Sequence, residues 1–321
     1  MIVSFVAHII DLSVFPDAQN ITSTIPSELS KLPFLQTIDF TVNNLYGTIP
    51  KEIGELKYLI TVDMNFNYLT GSIPGSFFAS RSITRLNLGD NDLSGSIPGE
   101  AILSNSMANM KGIYLMGNQL TGTLPSELAR LSQLTYFRAH RNNLVGSLPE
   151  EITELSNLSE IWFQEQGMSG SLPSDWSKLT ALKDIRGHKN GITGTIPESL
   201  YECTKLGRID LHVNELTGTL STRIGELTDL NRVRLENNDL TGAIPTEMGA
   251  LTKLERLYLH GNNFTSAVPQ ELCLTRQANV TLFKELSADC SVTEGGDILN
   301  ECPIGCCSRC CDPETGSCES F

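Results

Sequence analysis

The chain has no run of 18 or more apolar residues, so no segment is long enough to cross a bilayer as a helix. It is poor in positive charge: 23 Lys and Arg stand against 37 Asp and Glu, a formal net charge of −14 at pH 7. That balance excludes a global attraction for nucleic acid or for an anionic membrane. Cysteine is nearly missing from most of the chain, with Cys203 alone before position 273. No G-x-x-x-x-G-K-S/T, H-E-x-x-H or G-x-S-x-G occurs, nor the Gly-rich loop, H-R-D and D-F-G of a kinase. Scattered carboxylates and Ser/His/Asp combinations can be paired on any surface of this size, so they name no site. The sequence is therefore read as non-enzymatic, with no cofactor and no resident metal.

What the chain has instead is a period. LTGAIPTEMGALTKLERLYLHGNN, from Leu240 to Asn262 and its neighbour Asn263, shows it best: an apolar residue, then T/S-G-x-I/L-P, then L-x-x-L-x-L-x-x-N. Units begin at Ile21, Leu45, Leu69, Leu93, Leu120, Leu144, Met168, Ile192, Leu216 and Leu240. Each is 24 residues long except the fourth, in which three more sit around Ala101 to Met107. A fixed period of this length marks a solenoid of repeats.

Each recurring position has a mechanical reason. In Leu257-Tyr258-Leu259 the period-2 alternation predicts a short strand with both leucines inward and Tyr258 outward. One such strand buries too little alone; stacked at about 4.8 Å per repeat, the strands make a parallel sheet over a continuous leucine core. The Asn column (43, 67, 91, 118, 142, 190, 214, 238, 262, with Gln166 as the exception) sits where the chain leaves the strand, so its amides are expected to bond backbone groups without sheet partners. Glycines follow in the next turn, and a proline column, broken only at Ser221, releases the chain into a short helical turn on the convex side.

T/S-G-x-I/L-P inside a 24-residue unit resembles the plant-type leucine-rich repeat of receptor-kinase ectodomains and of secreted inhibitors of cell-wall-degrading enzymes. The resemblance covers Ile21 to Asn263 and implies an α/β solenoid: a right-handed arc with a parallel sheet on its concave face and short helical turns on its convex face. The ending LSADCSVTEGGDILNECPIGCCSRCCDPETGSC is similar to the cysteine-rich tails of leucine-rich-repeat proteins in diatoms. The expected organisation is a degenerate half repeat over 1–20, ten repeats over 21–263, a capping coil over 264–290 and a cysteine-rich tail over 291–321. The apolar stretch Ile2 to Ile10 lacks a basic leading region and a small-residue cleavage site, so Ile10-Asp11-Leu12 reads as the strand of a degraded first coil. The alternative is the remnant of a targeting segment. If the protein is exported, as the cysteines suggest, a true start or membrane anchor outside this sequence is the expectation.

Inward positions carry the fold, so function is sought at the outward strand positions. In the first four repeats these are bland, as in Lys111, Gly112, Tyr114, Met116 and Gly117. From Leu120 on they hold nine Lys or Arg against six Asp or Glu, a locally basic and aromatic band on an acidic chain. The expected ligand-binding residues are Tyr136, Arg138, His140, Trp162, Gln164, Arg186, His188, Asp210, His212, Arg234, Tyr258 and His260. Four of the five histidines share one column, His140, Gln164, His188, His212, Glu236, His260. Solvated polar positions explain that column without function; a recognition strip whose charge falls as pH rises through about 6.5 is the other reading. A metal on His188, His212 and Glu236 is set aside, because ligands must lie about 2.0 to 2.2 Å from an ion while the column spaces them about 4.8 Å apart.

Cysteine usage suggests the compartment. Cys203 lies at a convex-side position that commonly points inward in this repeat class, and reads as a buried free thiol. The other eight, Cys273, Cys290, Cys302, Cys306, Cys307, Cys310, Cys311 and Cys318, follow the repeats in even number and are expected to form disulfides, although Cys307-x-x-Cys310 also has zinc-ligand spacing. N-x-S/T sequons at Asn20, Asn157, Asn263 and Asn279 agree with export and are expected glycosylation sites. Two function classes remain. One is an extracellular or cell-surface recognition module, monomeric or dimerising with ligand, that takes a peptide, protein or glycan on its concave face. The other is a wall-associated scaffold crosslinked through its tail, which non-reducing electrophoresis would reveal.

Overall fold

A computed structural model of the chain describes residues 11–13, 20–103, 109–278, 284–289, 291–292, 298–299, 309–311 and 318–320. The chain divides into two compact units, Met1–Gly167 and Met168–Phe321.

In the first unit each L-x-x-L-x-L segment forms a three-residue strand. Asp11–Ser13, Thr37–Asp39, Thr61–Asp63, Arg85–Asn87, Gly112–Tyr114, Tyr136–Arg138 and Glu160–Trp162 pair in that order, all parallel. The register follows the repeat, so Ile38 faces Val62 and Phe137 faces Ile161. In the second unit Asp184–Arg186, Arg208–Asp210, Arg232–Arg234, Arg256–Tyr258, Glu285–Asp289 and Arg309–Cys311 form the same kind of parallel ladder, and Cys318–Ser320 closes it antiparallel. That last pairing sets Cys311 opposite Cys318. Because side chains alternate across a strand, Leu257 and Leu259 are buried in the core while Tyr258 between them faces outward. This core is continuous from coil to coil within each unit.

The asparagine column works as a clamp between successive coils. Asn67 Nδ2 donates to the carbonyls of Phe40 at 2.8 Å and Met64 at 3.1 Å, and its Oδ1 accepts from the Leu45 amide at 3.0 Å. The same pattern recurs at Asn238, with Leu211, Leu235 and Leu216. These backbone groups have no strand partner, so the side chain meets a need that burial would otherwise leave unmet. Gln166, one carbon longer, keeps the bond to the Phe163 carbonyl.

A second short strand lies at or just before the glycine turn, as in Tyr46–Thr48 and Tyr68–Ser72 or Gly191–Gly194 and Glu215–Leu216. Gly71 there has φ +79°, and a Cβ on it would lie 2.8 Å from Thr48 Cγ2 of the preceding coil. Left-handed backbone and close approach thus both demand glycine. The chain then turns through five-residue 3-10 helices such as Lys51–Glu55 and Glu198–Glu202, each preceded by a proline. At the one break in that column, Ser221 accepts a hydrogen bond from the Arg223 amide and so caps the turn with its side chain. Cys203 is a free, buried thiol, as expected, and burial pushes its pKa up to about 12.

Candidate functional site

The outward strand residues of the two units, each taken by itself, differ in chemistry. In the first unit Asn87, Tyr114, Arg138 and Trp162 occupy register-matched positions on neighbouring strands. Strand spacing lets flat side chains stack, and they do. The Arg138 guanidinium lies 3.7 Å from the Trp162 ring centre and 5.4 Å from that of Tyr114. Arg85 covers Tyr114 at 4.5 Å, and Tyr136 stacks beside it at 6.5 Å. His140 tilts against Trp162 at 5.8 Å. Arg138 is fixed by two bonds to Glu160, at 2.6 and 3.1 Å, and Arg85 by Asp63 at 3.3 Å. Burial raises the Tyr114 hydroxyl above its ordinary pKa.

Tyr114 is the residue that sequence reasoning missed. Its repeat reads as bland because glycines flank it, yet Gly112 is what makes room: a Cβ there would lie 2.7 Å from the Tyr114 ring. An aromatic two residues after a glycine on a three-residue strand was the available signal.

In the second unit arginine and acid pair two residues apart along the chain. Arg186 grips Asp184 at 2.7 and 3.0 Å, Arg208 meets Asp210 at 2.7 Å, and Arg234 binds Glu236 through Nε at 2.8 Å and a shorter Nη2 bond. His212 Nδ1 lies 2.6 Å and His188 Nδ1 3.4 Å from the same oxygen, Asp210 Oδ1, with the two imidazoles stacked at 4.3 Å. Burial alone would raise the Asp210 carboxyl, but hydrogen bonds from His188, His212 and Arg208 together hold it well below the usual carboxylate range. Tyr258 donates to Glu285; burial first, then this bond, pushes its pKa up to about 12. His260 Nδ1 and Ser287 Oγ are 2.7 Å apart.

The expectation that all twelve residues face solvent needs correction. Tyr136 is exposed, at 37%, but Gln164 and His212 retain 6% and Asp210 none. Arg138, His140, Trp162, Arg186, His188, Arg234, Tyr258 and His260 are half-buried. All are on the outward side of their strands; at this spacing polar side chains lie against one another, and each covers the next. The basic balance is correspondingly muted, since three of the arginines in the second unit are matched by an acid two residues away.

Among the sequons, Asn20, Asn157 and Asn263 are exposed, although Asn157 Nδ2 already donates to the Ser132 carbonyl at 2.9 Å; Asn279 lies outside the described residues. Cys273 is disulfide-bonded. Cys290, Cys302, Cys306 and Cys307 lie outside the described residues, and Cys310, Cys311 and Cys318 are placed by their backbone strands alone. Among the described residues no helix is long and apolar enough to cross a membrane.

The family model described as Leucine Rich Repeat matches residues 253–274. No curated protein matches the chain. Among solved structures, the plant peptide hormone receptor RGFR1 in complex with RGF2 is similar at 33% identity over 80% of this chain and 40% of that one, with a TM-score of 0.74. A TDR receptor is similar at 32% identity over 80% and 45%, TM-score 0.75. A plant ice-binding protein is similar at 28% identity over 82% and 83%, TM-score 0.65. The chain thus spans less than half the length of the two receptors.

Proposed function

We propose that this chain, a plant-type leucine-rich-repeat protein, is a non-catalytic extracellular recognition module that takes a peptide or protein segment on the strand face of its first unit. The observation that carries the reading is the layered Arg85, Tyr114, Arg138, Trp162 surface. The Tyr114 and Trp162 rings are half-buried, and the guanidiniums against them are held in place by Asp63 and Glu160 before any ligand arrives. Large, pre-fixed aromatic and arginine groups are what dominate binding energy at protein interfaces. Similarity to the plant peptide hormone receptor RGFR1, solved in complex with RGF2, supports the peptide class. An anionic group beside an apolar one fits the surface best. The test is selection from a displayed peptide library, followed by Trp162→Ala. Binding should weaken by more than about 2 kcal/mol if Trp162 is a hot spot, while circular dichroism stays unchanged because the indole lies outside the core. Unaltered affinity in a folded Trp162→Ala protein would remove this surface from consideration.

A second reading rests on a different observation. The T/S-G-x strands of the second unit expose Ser169, Ser171, Thr193, Thr195, Thr217 and Thr219, and none of these hydroxyls bonds within the described protein. Packing over the next glycine is made by Cβ and Cγ2 atoms, as in Ser171 over Gly194, Thr195 over Gly218 and Thr219 over Gly242, so the hydroxyls are surplus to that contact. A flat, uncharged hydroxyl array suits an ordered layer of water, and the similar ice-binding protein makes ice the surface to try. Ice-recrystallisation and thermal-hysteresis assays decide it: no activity at high protein concentration ends this reading and leaves the first untouched.

A further inference from the structure

The second unit holds a cluster that the recognition reading does not use. His188, Asp210 and His212 each offer a ligand atom within 4.8 Å of the others. Both Nδ1 atoms are turned toward one oxygen, Asp210 Oδ1. We propose that these three residues hold a divalent transition-metal ion of the zinc class.

The column argument fails for His188, His212 and Glu236 because those ligands span two strand gaps, about 9 to 10 Å. Exchanging Glu236 for Asp210 changes the geometry. Asp210 ends the strand Arg208–Asp210 and stands two residues before His212, so the trio crosses a single gap. Tetrahedral bonds of about 2.0 to 2.2 Å set ligand atoms roughly 3.3 Å apart. His188 Nδ1 already lies 3.4 Å from Oδ1, whereas His212 Nδ1, at 2.6 Å, has to open and the stacked rings have to tilt toward each other. Two imidazoles and one carboxylate form a donor set suited to zinc and its neighbours. Asp210 enters as an anion, and Arg208 holds its other oxygen at 2.7 Å, which leaves Oδ1 for the ion and fixes its direction. On the next strand Glu236 Oε2 is buried without a hydrogen-bond partner, an acceptor in search of a donor such as a metal-bound water. With three protein ligands, the fourth position remains open.

The tail cysteines are the competing site, so the probe must report ligand type. Cobalt(II) titrated into the full chain at pH 7.5 should give visible d–d bands that saturate at one equivalent, with no intense near-ultraviolet thiolate bands, and zinc should displace it. His188→Gln, changed at the least buried ligand of the three, should weaken cobalt at least about tenfold. Should that variant fail to fold, zinc must instead protect His188 and His212 of the unmutated chain from diethyl pyrocarbonate, read peptide by peptide. No bands, thiolate-dominated bands, unchanged affinity in folded His188→Gln, or histidines modified equally with and without zinc would each overturn the site.

Discussion

The two units use one repeat to build unlike surfaces. In the first, the positions between core residues hold Tyr114, Arg138 and Trp162, whose flat groups alternate across strands, stack on one another and stay half-buried. In the second, equivalent positions hold Arg186, Asp210 and Arg234, and each charge is met by a partner two residues away or on the next strand. Cation–π layers keep their energy while still offering area to a ligand; a closed ion network spends its interactions internally. The contrast teaches that charge counts along a strand column do not measure binding capacity.

The sharpest way to break the contrast is to open the network. Asp210→Asn keeps the shape but strips the only carboxylate that Arg208, His188 and His212 share. Removing one partner of a buried pair costs about 3 to 5 kcal/mol, and urea unfolding at pH 7 should show it. The acid side sharpens the point. Because folding lowers the Asp210 pKa, its contribution is fully present above the unfolded carboxylate value, about 3.9, and is lost as pH falls toward the folded value. The deficit of Asp210→Asn should therefore shrink below about pH 4. A deficit that stays constant down to pH 2 would show that shape, not charge, is what the network needs.

The cores should not differ. Leu86→Ala in the first unit and Leu257→Ala in the second each remove a fully buried side chain, and each should cost about 2 to 5 kcal/mol by lost burial and residual cavity. A loss below about 1 kcal/mol at either site would mean that its unit is not packed as a continuous leucine stack.

The sequence made the leucine strands, the asparagine clamp and the proline-led turns readable, because each is set by the local geometry of one coil and repeated until the pattern stood out. It also placed the outward columns correctly. Burial within those columns was not readable: Asp210 and His212 are outward by register yet covered by neighbours that come from 24 residues away, a packing effect no single coil contains. Tyr114 was hidden for the opposite reason, since its significance lies in the partners Arg85 and Arg138 on adjacent strands. The Asp210 contribution to the histidine column was missed because a column is read down one register position, and Asp210 stands in the next.

The smallest effect concerns the residue just before each clamp asparagine, which is left-handed throughout: Val42, Phe66, Asp90 and Arg141 in the first unit, Lys189, Val213 and Asn237 in the second, with φ between +51° and +57°. Gly117 and Gly261 occupy the same column without strain, at +63° and +66°. A β-branched residue there is out of place, as the left-handed region costs an L-residue about 1 to 2 kcal/mol and asparagine is among the few that tolerate it. Val213 is exposed and so gains little from burial in exchange. Val213→Asn should raise stability by about 0.5 to 1 kcal/mol, a shift visible in urea midpoints. Phe66→Asn offers the paired test in the first unit, where Phe66 is 52% exposed. Equal gains at both positions would mean that the column is neutral to function. A gain at Val213 with a loss of ligand binding at Phe66 would mean that the strain is kept for an aromatic contact, and would extend the binding surface of the first unit toward its early repeats.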